Sequence, residues 1–338
     1  MGKTDKGGAA EELLRQYFLS QDSFVVRGAR FRIQDQDVTD VDLWVYAKPS
    51  RHSRERSCVD IKFKERPKAL ERVLWVKGLQ SALRLERAII ATPDNRPIVK
   101  HFAATHGVGV IDGAFMSRLK ESSTLTRLTQ EELATLLDQA SMGKMGGDWR
   151  GRVDHSRDRL IGQLNYDGCN QHLVDTKYFL EKATSGHSEG AGRALYLVIA
   201  HLLVTLDHIL SGLHFYEPQA QVRALTDGLR YGKGGARRVD DITHTTLKLL
   251  KLYAPHATDE AKHELRAGLD AVRAEILSDY FLKDGGTDSL FGRALLFEQL
   301  AFARQFTPPS ALDPSSKGMI GVLLDFHDMD RVSFFGSL

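Results

Sequence analysis

Strand-like patterning is confined to the first third of this chain, and that asymmetry restricts the folds open to it. Short apolar runs at Phe24-Val25-Val26, Val41 to Ala47, Ser57 to Phe63, Arg87 to Thr92 and Val108 to Ile111 are separated by polar connections such as Gln34-Asp35-Gln36-Asp37. Leu13, Leu14, Tyr17 and Phe18 recur at helical spacing within residues 10–20, after a glycine-rich start. Helices are expected again at Ala69 to Glu86 and Ile98 to Thr105. The order α-β-β-β-α-β-α-β implies a mixed sheet flanked by helices. The runs Ala88-Ile89-Ile90-Ala91 and Val108-Gly109-Val110-Ile111 suit strands covered on both faces.

After Thr124 the spacing is helical throughout. The expected fold class is therefore an α/β domain followed by an all-α domain. The expected divisions are 1–122 for the first domain, 123–152 for a connecting helix and glycine-rich linker, and 153–338 for the helical domain. Thr129-Gln130-Glu131-Glu132 fits a capping box leading into Leu133, Leu136 and Leu137. Beyond the linker at Ser141 to Gly151, helices are predicted at Asp154–Ala183, Ala191–His214, Pro218–Leu229, Val239–Tyr253, Thr258–Leu282, Ser289–Gln305 and Pro314–Phe326. Breaks fall at Gly186, Pro218, Gly232 to Gly235, Pro255, Gly285-Gly286 and Pro308-Pro309. No fixed-period repeat is evident, which favours an irregular bundle over a solenoid.

The net charge of +2 is uninformative alone because the charge is unevenly spread. Residues 48–77 hold ten Lys/Arg against four acidic residues, a local excess that favours a polyanion such as nucleic acid. Arg51, Arg54, Arg56, Lys64 and Lys77 are the candidate phosphate contacts. Two cysteines, Cys58 and Cys169, exclude a disulfide framework and a Cys-based zinc site. The opening MGKTDKGGAA lacks the apolar core of a signal peptide. The most apolar stretch, Ala194 to Leu213, carries His201, Asp207 and His208, so a buried bundle helix is expected there rather than a membrane span. A cytoplasmic protein with no membrane partner is the expectation.

Chemistry concentrates in four residues. Glu11 opens the first helix on the face of Leu14 and Phe18, with Glu12 to the side. Asp42 begins an apolar strand, and Asp60 and Lys62 lie on the next one. Taken singly each is ordinary: a helix-start acid, a turn residue, a strand-edge triplet. Gathered on adjacent elements, three carboxylates and a lysine are the parts of a divalent-metal phosphodiesterase site. Hard cations want oxygen ligands, and a lysine can orient the attacking water.

These residues carry a resemblance to the PD-(D/E)XK, or restriction-endonuclease-like, nuclease superfamily. The look is nearest to Mrr-type restriction enzymes, archaeal Holliday-junction resolvases and YraN-type proteins. "AAEELLRQYF" resembles the first helix, with its glutamate at Glu11, and "VTDVDLWVY" the metal-binding second motif, with Asp42 as ligand and Asp40 just before it. "CVDIKFK" resembles the (D/E)XK strand, giving Asp60 and Lys62. "VKGLQSAL" resembles the following helix, where Gln80 takes a position that carries a glutamine in several branches. "RAIIAT" and "GVGVIDG" resemble the closing strands. The resemblance implies Mg²⁺, with Mn²⁺ able to substitute, held by Glu11, Asp42, Asp60 and the Ile61 carbonyl, while Lys62 and Gln80 assist. It implies a DNA endonuclease in restriction or anti-phage defence. A structure-specific repair or recombination nuclease and a non-catalytic nucleic-acid-binding module remain the alternatives. Cutting both strands would need two sites, hence a homodimer; the helical domain would serve a protein partner, dimerisation or nucleic acid.

Three further motifs are weighed low. Gly232-Lys233-Gly234-Gly235 lacks P-loop spacing and reads as a basic turn. His201 and His208 stand two turns apart on one helix, too far for an i, i+4 metal pair. Arg238 to His244 superficially matches the Arg-x₄₋₆-His pattern of HEPN-type ribonucleases, which chance readily produces.

Overall fold

A computed structural model describes residues 6–34, 36–64, 67–122, 126–186, 188–253, 258–282 and 286–336. Asp35, Glu65, Arg66, Thr124, Pro255 and Gly285, which entered the sequence reading, lie outside the described residues. The chain separates into two units. One comprises Met1–Gly162 with Ala294–Phe306, and the other Gln163–Arg293 with Thr307–Leu338.

The first unit is built on a five-stranded sheet. Helix α1 (Lys6–Ser20) precedes β1 (Phe24–Ile33), β2 (Gln36–Ala47) and β3 (Glu55–Ile61). Then come α2 (Ala69–Leu83), β4 (Arg87–Ala91), α3 (Pro97–Thr105) and β5 (Val108–Ile111). The spatial order is β1-β2-β3-β4-β5, antiparallel from β1 to β3 and parallel from β3 to β5. The mixed α/β sheet expected from the spacing is present, and so is the mostly helical remainder. Period-two alternation divides the central strands. Leu43, Val45, Val59 and Ile61 pack with Leu14 of α1 on one face. The intervening Asp42, Trp44, Cys58 and Asp60 therefore belong to the face on which α2 lies.

A helix that the spacing did not announce, α4 (Gly113–Ser122), closes the α1 face with Met116 in the core. Its signal is Asp112, whose carboxylate accepts from the Phe115 N–H at 2.8 Å. Helix α5 (Gln130–Ala140) begins with the expected capping box: Thr129 accepts from Glu132 N–H at 3.2 Å, and Glu132 accepts from Thr129 N–H at 2.7 Å. Helix α6 (Trp149–Gly162) packs on β1.

The return of residues 294–306 to this unit differs from the contiguous division expected from sequence, and its cause is ionic. Glu298 is buried and accepts from Arg15 at 2.6 Å and from Arg127 at 2.5 Å. Both guanidinium groups also lie over the Phe302 ring, at 3.9 and 4.8 Å from its centroid. The Leu128 N–H donates to the Phe302 carbonyl at 2.8 Å, adding a backbone tie.

The second unit is helical throughout its described residues. It comprises α7 (Tyr166–Gly186), α8 (Glu189–Leu213), α9 (Pro218–Tyr231), α10 (Gly235–Tyr253), α11 (Thr258–Asp270) and α12 (Ala274–Leu282). The first half of α13 (Gly286–Phe302), α14 (Pro314–Phe326) and a short α15 (Arg331–Gly336) complete it. The single helix expected over 154–183 is two, because Asn165 caps a new start: its side-chain oxygen accepts from Asp167 and Gly168 N–H at 2.9 and 3.2 Å. The helix expected over 258–282 also divides, after Asp270, where Gly268 in the last turn of α11 weakens the helix just before the break. Helix α8 is long and apolar enough to cross a membrane by length and composition, and most of it is buried within the protein. His201 on α8 is a core residue whose ring lies 6.1 Å from that of His172 on α7. In the Gly232–Gly235 turn between α9 and α10, the Lys233 N–H donates to Asp167 at 2.8 Å. Arg238 and His244 both lie exposed on α10. Six positions at 100° each leave them about 120° apart around the helix, so they do not share a face.

Candidate active site

The antiparallel register of β2 and β3 ends at Leu43↔Val59. One step further sets Asp42 opposite Asp60, and beyond it the two strands part. The Ile61 N–H, which a continued ladder would send to β2 backbone, donates instead to Asp42 Oδ2 at 2.7 Å. Lys62 Nζ lies 3.3 Å from the same oxygen. Asp42, Asp60 and Lys62 thus converge on one face at the open end of the β2–β3 pair, as their spacing predicts.

On the other side of Asp42, β1 presents Gly28, flanked by the pairs Arg27↔Leu43 and Ala29↔Val41. Its φ of 59° is a left-handed conformation that a side chain would strain. A substituent there would meet no atom within 4 Å, so the position is both glycine-requiring and open. Sequence reasoning passed over Gly28; the signal was a glycine inside a strand pattern, which marks a bulge or a close backbone approach.

Burial pushes the Asp42 carboxyl above the ordinary carboxylate range. The Ile61 N–H and the Lys62 ammonium pull against that rise, and the charge of Asp60 adds to it. Asp60 is 7% exposed and fully engaged by Arg72 of α2. Arg72 Nε donates to Oδ2 at 2.7 Å, and its Nη2 donates to Oδ1. In the sequence Arg72 is one cation in a basic run, and spacing does not reveal its role, because its pairing depends on α2 crossing the end of β3.

Glu11 and Asp42 line a common cleft of about 680 Å³, but Glu11 reaches it from the α1 side. Its carboxylate accepts from Arg27 Nε at 2.7 Å, and Arg27 also pairs with Glu131 at 2.7 Å. Glu12, expected to lie to the side, is the more buried of the two and pairs with Arg15 at 3.1 Å. The cleft walls carry six carboxylates and three guanidinium groups. That balance attracts a cation and repels a bare polyanion.

The remaining site expectations need correction. Gln80 is not brought to the carboxylates. It sits eight residues beyond Arg72, about 12 Å along the helix, where its amide donates to the Leu85 and Glu86 carbonyls at 3.2 and 2.9 Å. Arg51 and Arg54 belong to the turn that opens β3, and Arg56 precedes Asp60 by four residues, about 13 Å of strand. Arg56 is moreover clamped by both oxygens of Glu86, at 3.0 and 2.7 Å. Lys77 donates to Gln80 at 2.8 Å, at the same remote end. The local charge excess is real, but the antiparallel turn carries most of it away from Asp60. Only Lys64 among the five candidate phosphate contacts follows directly from the end of β3, where it is exposed.

The donor chemistry suits a hard cation: carboxylates on opposed strands, with Asp42 Oδ1 accepting no hydrogen bond among the described residues. Two of the expected ligands are taken by arginines, however, and no group of three His, Cys, Asp or Glu placed to hold a metal occurs among the described residues. A cation at this site would therefore be held first by Asp42, and by Asp60 only with Arg72 withdrawn. Compared with protein-family models, curated proteins and solved structures, the chain matches none.

Proposed function

We propose that the first unit is a metal-dependent phosphodiesterase acting on nucleic acid, with DNA as the expected substrate and Mg²⁺ or Mn²⁺ as cofactor. One observation carries the reading: Asp42 and Asp60 oppose each other where β2 and β3 part, with the Lys62 ammonium 3.3 Å from Asp42. Two carboxylates stand side by side, Asp60 buried and Asp42 half-buried. Desolvation of Asp42, with the charge of Asp60 adding to it, raises the Asp42 pKa as an anion short of positive charge would show. The excess of carboxylates in the cleft argues the same way, since a phosphate chain would enter only with that charge offset.

When bound, a divalent cation supplies an acidified water and offsets charge growing on the phosphate oxygens. Asp42 and Asp60 would hold it once Arg72 withdraws, and the resemblance adds the Ile61 carbonyl and Glu11 as further oxygen donors, the latter only if Arg27 releases it. Lys62 would orient the attacking water and neutralise the charge it develops. The left-handed Gly28 leaves the approach to Asp42 clear of a side chain.

The arginine clamps on Asp60 and Glu11 favour a second reading, a binding module of the same fold class without turnover. Cleavage of plasmid and of a labelled duplex by the parent, Asp60→Asn and Lys62→Ala proteins, in Mg²⁺, in Mn²⁺ and in EDTA, separates the two. The phosphodiesterase reading expects metal-dependent cleavage that falls on the order of 100-fold or more in each variant. Undiminished cleavage by either variant rejects the assigned site; duplex binding with no cleavage under any condition selects the binding module.

A further inference from the structure

Resting on the phosphodiesterase reading, we propose that Arg72 is a displaceable internal cation, which holds Asp60 closed in the free protein and passes to a substrate phosphate when a divalent cation takes Asp60. The two carboxylates are neutralised unequally. Lys62 meets Asp42 through one oxygen at 3.3 Å and leaves the other open, whereas Arg72 covers both oxygens of Asp60. A hard divalent cation takes six or more oxygen ligands, and one open carboxylate oxygen is a poor start towards that number. Asp60 is the carboxylate that stands opposite Asp42, so metal loading through it competes directly with the guanidinium.

The surroundings of Arg72 suit such an exchange. Asp60 is buried, but the Arg72 side chain is a quarter exposed and reaches solvent from the first turns of α2. Its guanidinium lies 5.4 Å from the ring centroid of Trp75, itself half-exposed, which gives the planar group an aromatic face beside the site. A phosphate presents the same forked pair of acceptors as a carboxylate, so the guanidinium can change partners without losing its bidentate geometry. Metal and nucleic acid then bind cooperatively. The cation frees Arg72 for the phosphate, and the phosphate removes the competitor from Asp60.

Calorimetric titration with Mn²⁺ tests this on the full chain, with and without a short phosphorothioate duplex, using the parent, Arg72→Gln, Arg72→Lys and Asp60→Asn proteins. Loss of a bidentate charged pair predicts that Arg72→Gln binds Mn²⁺ about 10- to 100-fold more tightly than the parent without DNA. The duplex should tighten Mn²⁺ binding by the parent and leave Arg72→Gln unchanged. Arg72→Lys, which keeps the charge but not the fork, should fall between them and carries the test if the glutamine variant fails to fold. Equal Mn²⁺ affinity in the parent and both Arg72 variants, with binding lost in Asp60→Asn, overturns the exchange and leaves the metal site standing. Absence of Mn²⁺ binding in every protein, with and without DNA, overturns the phosphodiesterase reading and the exchange with it.

Discussion

Replacing Glu298 with alanine should unfold the first unit far more readily while sparing the second. The Arg15 and Glu298 side chains are each 2% exposed, and that of Arg127 is 16% exposed. Burial already lowers the Arg15 pKa, with the charge of Glu298 opposing that shift. Removing the carboxylate leaves two guanidinium groups stacked on Phe302 with one counter-charge gone. Breaking a buried ion pair from one side costs about 3–5 kcal/mol. Glu12, 3.1 Å from Arg15, retains part of the compensation, so the lower figure, about 3 kcal/mol, is the expectation. Urea denaturation followed by tryptophan fluorescence isolates this unit, because all three tryptophans, Trp44, Trp75 and Trp149, belong to it. With a urea dependence of about 1–3 kcal/mol per molar, the midpoint should fall by roughly 1–3 M. Replacing both partners, Arg15→Met with Glu298→Leu, should cost much less than Glu298→Ala, since removing both charges leaves neither stranded. A loss below about 1 kcal/mol in Glu298→Ala would show that residues 294–306 are dispensable to the unit and refute the ionic account of their return.

Two other tests address stability. Thr129→Ala removes half of the capping box on α5 and should cost about 1 kcal/mol by the same fluorescence assay. Burial, with the nearby charge of Lys177, lowers the His327 pKa from 6.5 to about 4. Its stabilising contribution is therefore complete above pH 6.5 and is lost as pH falls towards 4, amounting to about 3 kcal/mol. Circular dichroism melts of His327→Gln should show that acid limb flattened, and an unchanged limb would refute the assignment.

Legibility from sequence tracked the range of the interaction responsible. Strands β2 to β5 were visible because period-two alternation and buried apolar runs are local signals. The convergence of Asp42, Asp60 and Lys62 was visible for a related reason: adjacent antiparallel strands turn spacing into position. Helix ends set by one side chain, such as Asn165 before α7 and Asp112 before α4, were present in the sequence but were not used. What could not be read was which cation meets which carboxylate. Arg72, Arg27 and Arg56 are indistinguishable in a count of basic residues. Their partners Asp60, Glu11 and Glu86 are chosen by where helix α2 starts, where α1 points and where β4 begins. Gln80 was misassigned for the same reason, because helical phase does not show which end of the helix faces the carboxylates.

The detour of the polypeptide between Gly162 and Ala294 has a consequence for biosynthesis. A nascent chain emerging from the ribosome exposes the sheet early but lacks Glu298 until the intervening helices have been translated. At about 5–20 residues per second that interval lasts on the order of 10–30 s, during which Arg15 and Arg127 lack that counter-charge. The sheet-bearing unit is therefore completed only after most of the other has left the exit tunnel, which ties the order of maturation to the order of the codons.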